Sequence, residues 1–223
     1  MASHGGASTA LMLREQFRTP QQQRETASIG MWVFLITEVM LFGGLFMAFT
    51  VYRTMYPTAF VEGSADMSIV LGATNTIVLI CSSLTMALSV YSAAVGNQRM
   101  LAIFLFATMI LGAVFIGIKF TEYYQHYRGH TVPGFWFEWT GADGRHVEMF
   151  FVFYFLMTGL HALHMFVGEG ILLTMLLRAG AGAFSSRYHT PVEISGLYWH
   201  FVDIIWVFLF AIFYVEGLHL HRG

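Results

Sequence analysis

The stretch GLYWHFVDIIWVFLF, Gly196 to Phe210, is apolar enough for a hydrocarbon environment, yet it holds an imidazole and a carboxyl three residues apart, His200 and Asp203. That spacing is close to one helical turn, so both side chains fall on one helix face. A second apolar run, TGLHALHMFVGEG, places His161 and His164 at the same spacing, with Glu169 five residues later. A third, WVFLITEVMLFGG, contains one acid, Glu38. Such groups can do three things inside a bundle. They can lock helices together by hydrogen bonds, ligate a metal or haem, or relay protons. Two histidines on different helices could grip a haem if they met at one height, and His161 and His164 with Glu38 could imitate a metal site. A di-iron bundle needs Glu-x-x-His on two helices and further glutamates, and this chain lacks that pattern. The single cysteine, Cys81, excludes an internal disulfide and a cysteine-based zinc or iron–sulfur centre.

The elements that must position these groups follow from composition. The chain has 223 residues, 57% of them hydrophobic and only 11% charged, against about 25% charged in soluble domains. So few charges cannot cover a soluble surface, and a membrane protein is expected. The net charge of −2 gives no reason to expect nucleic acid. A bilayer core requires about 20 apolar residues per helix. Five segments qualify: Ile29 to Val51, Ser68 to Val95, Met100 to Ile118 with a continuation through KFTEYY, Met149 to Leu177, and Ile194 to Val215. An all-α bundle of five transmembrane helices over residues 29–223 is therefore predicted. Residues 1–28 read as a polar cytoplasmic arm without the features of a signal peptide. The one long connection, Gln125 to His146, carries FWFEW, an aromatic belt for the membrane interface.

Arg14, Arg18 and Arg24 precede the first span, and Arg99, Arg178 and Arg187 fall on the same side as that cluster. The positive-inside rule then puts the N-terminus inside and the C-terminus outside. Glu38 and Asp203 each stand nine residues past the start of spans that run the same way, about 13–14 Å deep at 1.5 Å per residue. His161 reaches a comparable layer from the opposite direction. Glu169 lies nearer the inner end, and Glu122 is expected at interfacial water past the aromatic end of the third span. Each is read first as a structural polar contact.

Four motifs in chain order resemble those of the subunit III family of haem-copper respiratory oxidases. WVFLITEVMLFGG is similar to its glutamate-bearing helix, and Thr121-Glu122-Tyr123-Tyr124 to a helix end carrying Glu-Tyr. TGLHALHMFVGEG resembles G-x-H-G-x-H-V-x-x-G, with Ala162 in place of a glycine, and GLYWHFVDIIWVFLF, with Trp199 and Trp206, resembles W-Y-W-H-F-V-D-x-V-W. Longer members have seven spans, and this chain matches only the last five, as the short bacterial form does. The resemblance implies a chain without haem or copper of its own, those cofactors residing in partner subunits. It implies packing on subunit I in a complex with subunit II, with a small subunit IV or a larger supercomplex as further partners. It also implies bound phospholipid, support of proton uptake and sustained turnover, and a bacterial inner membrane. On that footing His200 and Asp203 fix the fifth span, and Glu38 bonds His161 or His200. Arg187 and His189 are candidates for lipid headgroups. The alternatives are a subunit III of a quinol oxidase or a nitric-oxide-reductase-associated homologue, a haem-binding membrane anchor, and a stand-alone proton-coupled transporter.

Overall fold

The computed structural model describes residues 19–134, 137–141, 143–185 and 188–215. The described residues form helices α1 (Pro20–Met55), α2 (Pro57–Ala65), α3 (Ile69–Val95), α4 (Gln98–Arg128), α5 (Gly144–Gly180) and α6 (Thr190–Phe210), which ends in a π-helical turn, Ala211–Val215. Five of them are long and apolar enough to cross a membrane. The short α2 between the first two spans was not anticipated. Pro57 at its start supplies the φ that a first helical turn needs.

Helix α1 begins well before the predicted span. Thr19 accepts a hydrogen bond from the Gln22 N–H at 3.1 Å, and the Gln21 amide donates to Glu25 one turn later at 2.9 Å. The cap and this i,i+4 pair extend the helix back to Pro20, so residues 20–28 of the expected polar arm are helical and continuous with the span.

The chain divides into two compact units, one running up to Leu41 and the other beginning at Phe42. The first holds the N-terminal part of α1, where Glu38 is half-buried. In the second, α3, α4, α5 and α6 form a closed ring in which each helix packs on the next and α6 returns to α3. The turn between α3 and α4 is two residues. Gly96 adopts φ 83°, ending α3 in the left-handed conformation that glycine accepts without a Cβ clash. Asn97 follows and caps α4, its side chain accepting from the Met100 N–H. So tight a turn forces α3 and α4 to lie antiparallel.

From Phe42 onward α1 joins the second unit through aromatic rings. Phe49 is 1% exposed, with its ring centroid 5.1 Å from Phe213, 5.2 Å from Phe60 and 5.8 Å from Phe153. Edge-on ring contacts of this kind add about 0.5–1.5 kcal/mol each beyond burial. Ser64 of α2 donates to the Phe213 carbonyl at 2.8 Å. That carbonyl lies in the π-helical turn, where the ordinary helical bonding is broken and a carbonyl needs another donor.

Candidate functional site

Polar groups inside an apolar bundle must find partners there, and three seams result. Between α3 and α6, Trp199 Nε1 donates to Ser82 Oγ at 2.9 Å and Trp206 Nε1 to Thr76 Oγ1 at 3.2 Å. Ser83 Oγ and His200 Nδ1 are bonded at 2.8 Å. Three side chains of α6 thus meet three hydroxyls of α3. Trp199 is wedged against α4 and α5 as well. A Cβ built on Gly112 would stand 2.8 Å from its ring, and one on Gly168 3.0 Å. Only glycine leaves room for the indole there.

The second seam joins α4, α5 and the end of α6. Lys119 and Glu122 are 3% and 1% exposed, although both belong to a span. Lys119 Nζ donates to Glu122 Oε2 at 2.6 Å and to the Tyr154 and Tyr214 hydroxyls at 3.0 Å each. An ammonium has three protons, and all three are used. The Tyr214 hydroxyl donates to Glu122 at 2.7 Å to Oε1 and 2.8 Å to Oε2. Around the ammonium stand the rings of Tyr154 at 4.8 Å, Trp206 at 5.1 Å, Tyr123 at 5.2 Å and Tyr214 at 5.7 Å. A desolvated cation gains on the order of 2 kcal/mol from an aromatic face. Glu122 was expected at interfacial water, and the structure corrects that: the two tyrosines and the lysine close over it.

The third seam is small. Tyr123 and Thr158 are bonded at 2.6 Å between α4 and α5, and Thr85 and Thr108 at 2.8 Å between α3 and α4.

The histidines predicted as a cluster separate into different environments. His161 is 1% exposed and lies between the rings of Phe115 and Trp206, at 5.5 and 5.3 Å. Neither of its ring nitrogens has a hydrogen-bond partner. His164 bonds the Leu160 carbonyl on its own helix at 2.8 Å, and Tyr198 donates to the His164 carbonyl at 2.9 Å. Asp203 is 7% exposed. Its carboxyl interacts with the Ser83 hydroxyl, which is also bonded to His200, though neither carboxyl oxygen has a hydrogen bond of ordinary geometry. His200 and Asp203, expected to fix the fifth span, thus share Ser83 of α3. Glu169 is half-buried, with one carboxyl oxygen likewise unbonded. His189 Nε2 lies 3.2 Å from Glu193. Arg187 and Trp136 lie outside the described residues. Among the described residues no group of three His, Cys, Asp or Glu side chains is placed to hold a metal ion.

Sequence reasoning missed Lys119, Tyr154 and Tyr214. A signal existed for the first: Lys-Phe-Thr-Glu puts opposite charges on one face of an apolar helix. The tyrosines come from remote segments, and nothing local marks them.

Fold and seams together define a polytopic all-α membrane protein whose interior carries dispersed polar fastenings. Residues 17–218 match the family described as cytochrome c oxidase subunit III. The chain is similar to cytochrome c oxidase subunit 3 of Thermostichus vulcanus, 31% identical over 84% of this chain and 86% of that protein. It is also similar to the same subunit of Synechocystis, 30% identical over 83% and 74% of the two chains, and of Tachyglossus aculeatus aculeatus, 32% identical over 84% and 69%. This chain belongs to the cytochrome c oxidase subunit III family.

Proposed function

We propose that the chain is the non-catalytic subunit III of a proton-pumping haem-copper terminal oxidase that reduces oxygen to water in a bacterial inner membrane. It packs on the catalytic subunit I beside subunit II, binds phospholipid, and supports the stability, proton uptake and sustained turnover of the complex. Haem and copper reside in the partners. The observation that carries the reading is the Lys119–Glu122–Tyr154–Tyr214 network. Its groups spend their hydrogen-bonding capacity on one another, as structural fastenings do. The N-terminus faces the cytoplasm, following the arginines before the first span. Arg187 is the leading candidate for a phospholipid headgroup. His189 is the weaker one, because Glu193 already engages its imidazole.

The test is purification of the tagged chain from its native membrane in mild detergent. Subunits I and II are expected to co-purify, with haem and copper at the stoichiometry of an intact core. A complex depleted of this chain is expected to start at a near-normal rate of oxygen reduction and then to lose activity within the assay. Recovery of the chain without any oxidase subunit would refute the proposal. A Soret band retained by the isolated chain would favour the haem-binding anchor instead.

A further inference from the structure

Trp206 and Tyr214 both reach the Lys119 ammonium, the Trp206 ring at 5.1 Å and the Tyr214 hydroxyl at 3.0 Å from Nζ. Eight residues separate them along the chain. In an unbroken α-helix, at 3.6 residues per turn, that spacing sets two side chains about 80° apart around the axis. The π-helical turn Ala211–Val215 intervenes. Its i→i+5 pattern widens the coil and takes up part of that angle. Tyr214 thereby returns toward the face of Trp206, and its hydroxyl reaches Glu122 at 2.7 Å. Two residues outside this helix fix the result. Ser64 of α2 is 1% exposed and donates to the Phe213 carbonyl at 2.8 Å. That carbonyl belongs to the peptide unit that leads into Tyr214, so the bond holds the backbone from which the phenol springs. Gly72 of α3 faces the ring: a Cβ there would stand 2.7 Å from Tyr214 Cδ1 and 2.9 Å from Cε1.

We infer that α2, Gly72 and the π-helical turn form a clamp that holds the Tyr214 hydroxyl on Glu122, so that a displacement of α2 is carried through Tyr214 into the buried Lys119–Glu122 pair. Ser64 acts on the backbone of the turn, and Tyr214 passes the effect to the two charged groups. Lys119 and Glu122 are 3% and 1% exposed, so loss of the phenol leaves an acceptor in the interior short of a donor, at a cost that water cannot relieve. The device thus links the short helix between the first two spans to an ion pair on α4. It lies wholly within this chain and is independent of the oxidase reading.

The experiment measures amide hydrogen exchange by mass spectrometry in the full chain, within whatever complex it purifies in. Two peptides are followed, one covering residues 207–215 and one covering 117–124 on α4. Ser64→Ala should speed exchange about threefold or more in both, because opening of the turn releases the ion pair. Ser89→Ala serves as the reference: it removes a buried hydroxyl that bonds only within its own helix, to Met86, and should leave both peptides within about 1.5-fold. In a Tyr214→Phe background, Ser64→Ala should still speed exchange in 207–215 but add nothing further in 117–124, since the connecting hydroxyl is gone. Gly72→Ala, which pushes the ring from its seat, should speed exchange in 117–124 without any change at Ser64. If Ser64→Ala does not accumulate, Gly72→Ala with the same two peptides decides. An effect of Ser64→Ala confined to 207–215, no effect on either peptide, or an equal further rise in 117–124 without the Tyr214 hydroxyl would overturn the inference.

Discussion

Lys119 is a residue whose environment inverts its usual cost. A lone ammonium in a bilayer core is disfavoured by roughly 2.5–3.5 kcal/mol on insertion scales. Here three acceptors take its three protons and four rings surround it. The stabilisation belongs to the set, so removal of one member should expose the others. Lys119→Met leaves Glu122 buried without its cation, and the expected loss is about 3–5 kcal/mol. Lys119→Met combined with Glu122→Leu should cost less than Lys119→Met alone. Unfolding in mixed detergent micelles measures both, and simple additivity would show that the pair is not coupled. Tyr214→Phe removes one donor and one acceptor from the network, with an expected cost of about 1–3 kcal/mol by the same measurement. None of this coupling was legible in the sequence beyond the Lys119–Glu122 spacing. Burial of that pair depends on Tyr154 and Tyr214, which stand 35 and 95 residues from Lys119.

The helices were easier to read than their contacts. Five apolar runs show themselves by length, because a bilayer imposes a minimum on every span. The ends were less legible: α1 gained a capped polar extension at Pro20, and α2 is too short to show a period. The motif-bearing faces of α5 and α6 were identifiable, but their partners were not. His161 lies between the rings of Phe115 and Trp206, a packing that depends on rotamers that spacing does not encode. Two predictions belong at this scale. Gly112→Val forces a side chain into the Trp199 ring and should loosen the α4–α6 packing by about 1–3 kcal/mol, read as a lower midpoint of thermal unfolding in detergent. Phe49→Ala strips the aromatic cluster that ties the second half of α1 to α2, α5 and the π-helical turn. Limited proteolysis should then cut near Tyr56 faster than in the unaltered chain, and an unchanged rate would mean that the cluster does not hold α1.

At the scale of the whole molecule, the surface carries as much information as the interior. Most of the large residues of α1 are exposed, among them Met40 at 73% and Met47 at 71%, as lipid or neighbouring helices would require of a chain with five candidate spans. The family follows from the match over residues 17–218, and the motifs around Glu38, Glu122, His161 and Asp203 already pointed to it. The central claim of the proposed function is that polar side chains within these spans, His200 through Ser83 among them, fasten helices, while the histidines hold no prosthetic group. Its most direct test is the haem content per catalytic core of the purified complex, compared between the unaltered chain and a His161→Phe/His200→Gln double variant. The account predicts the same haem-to-core ratio and the same absorption spectrum, with any effect confined to stability. A lower ratio or a shifted Soret band in the variant would contradict it.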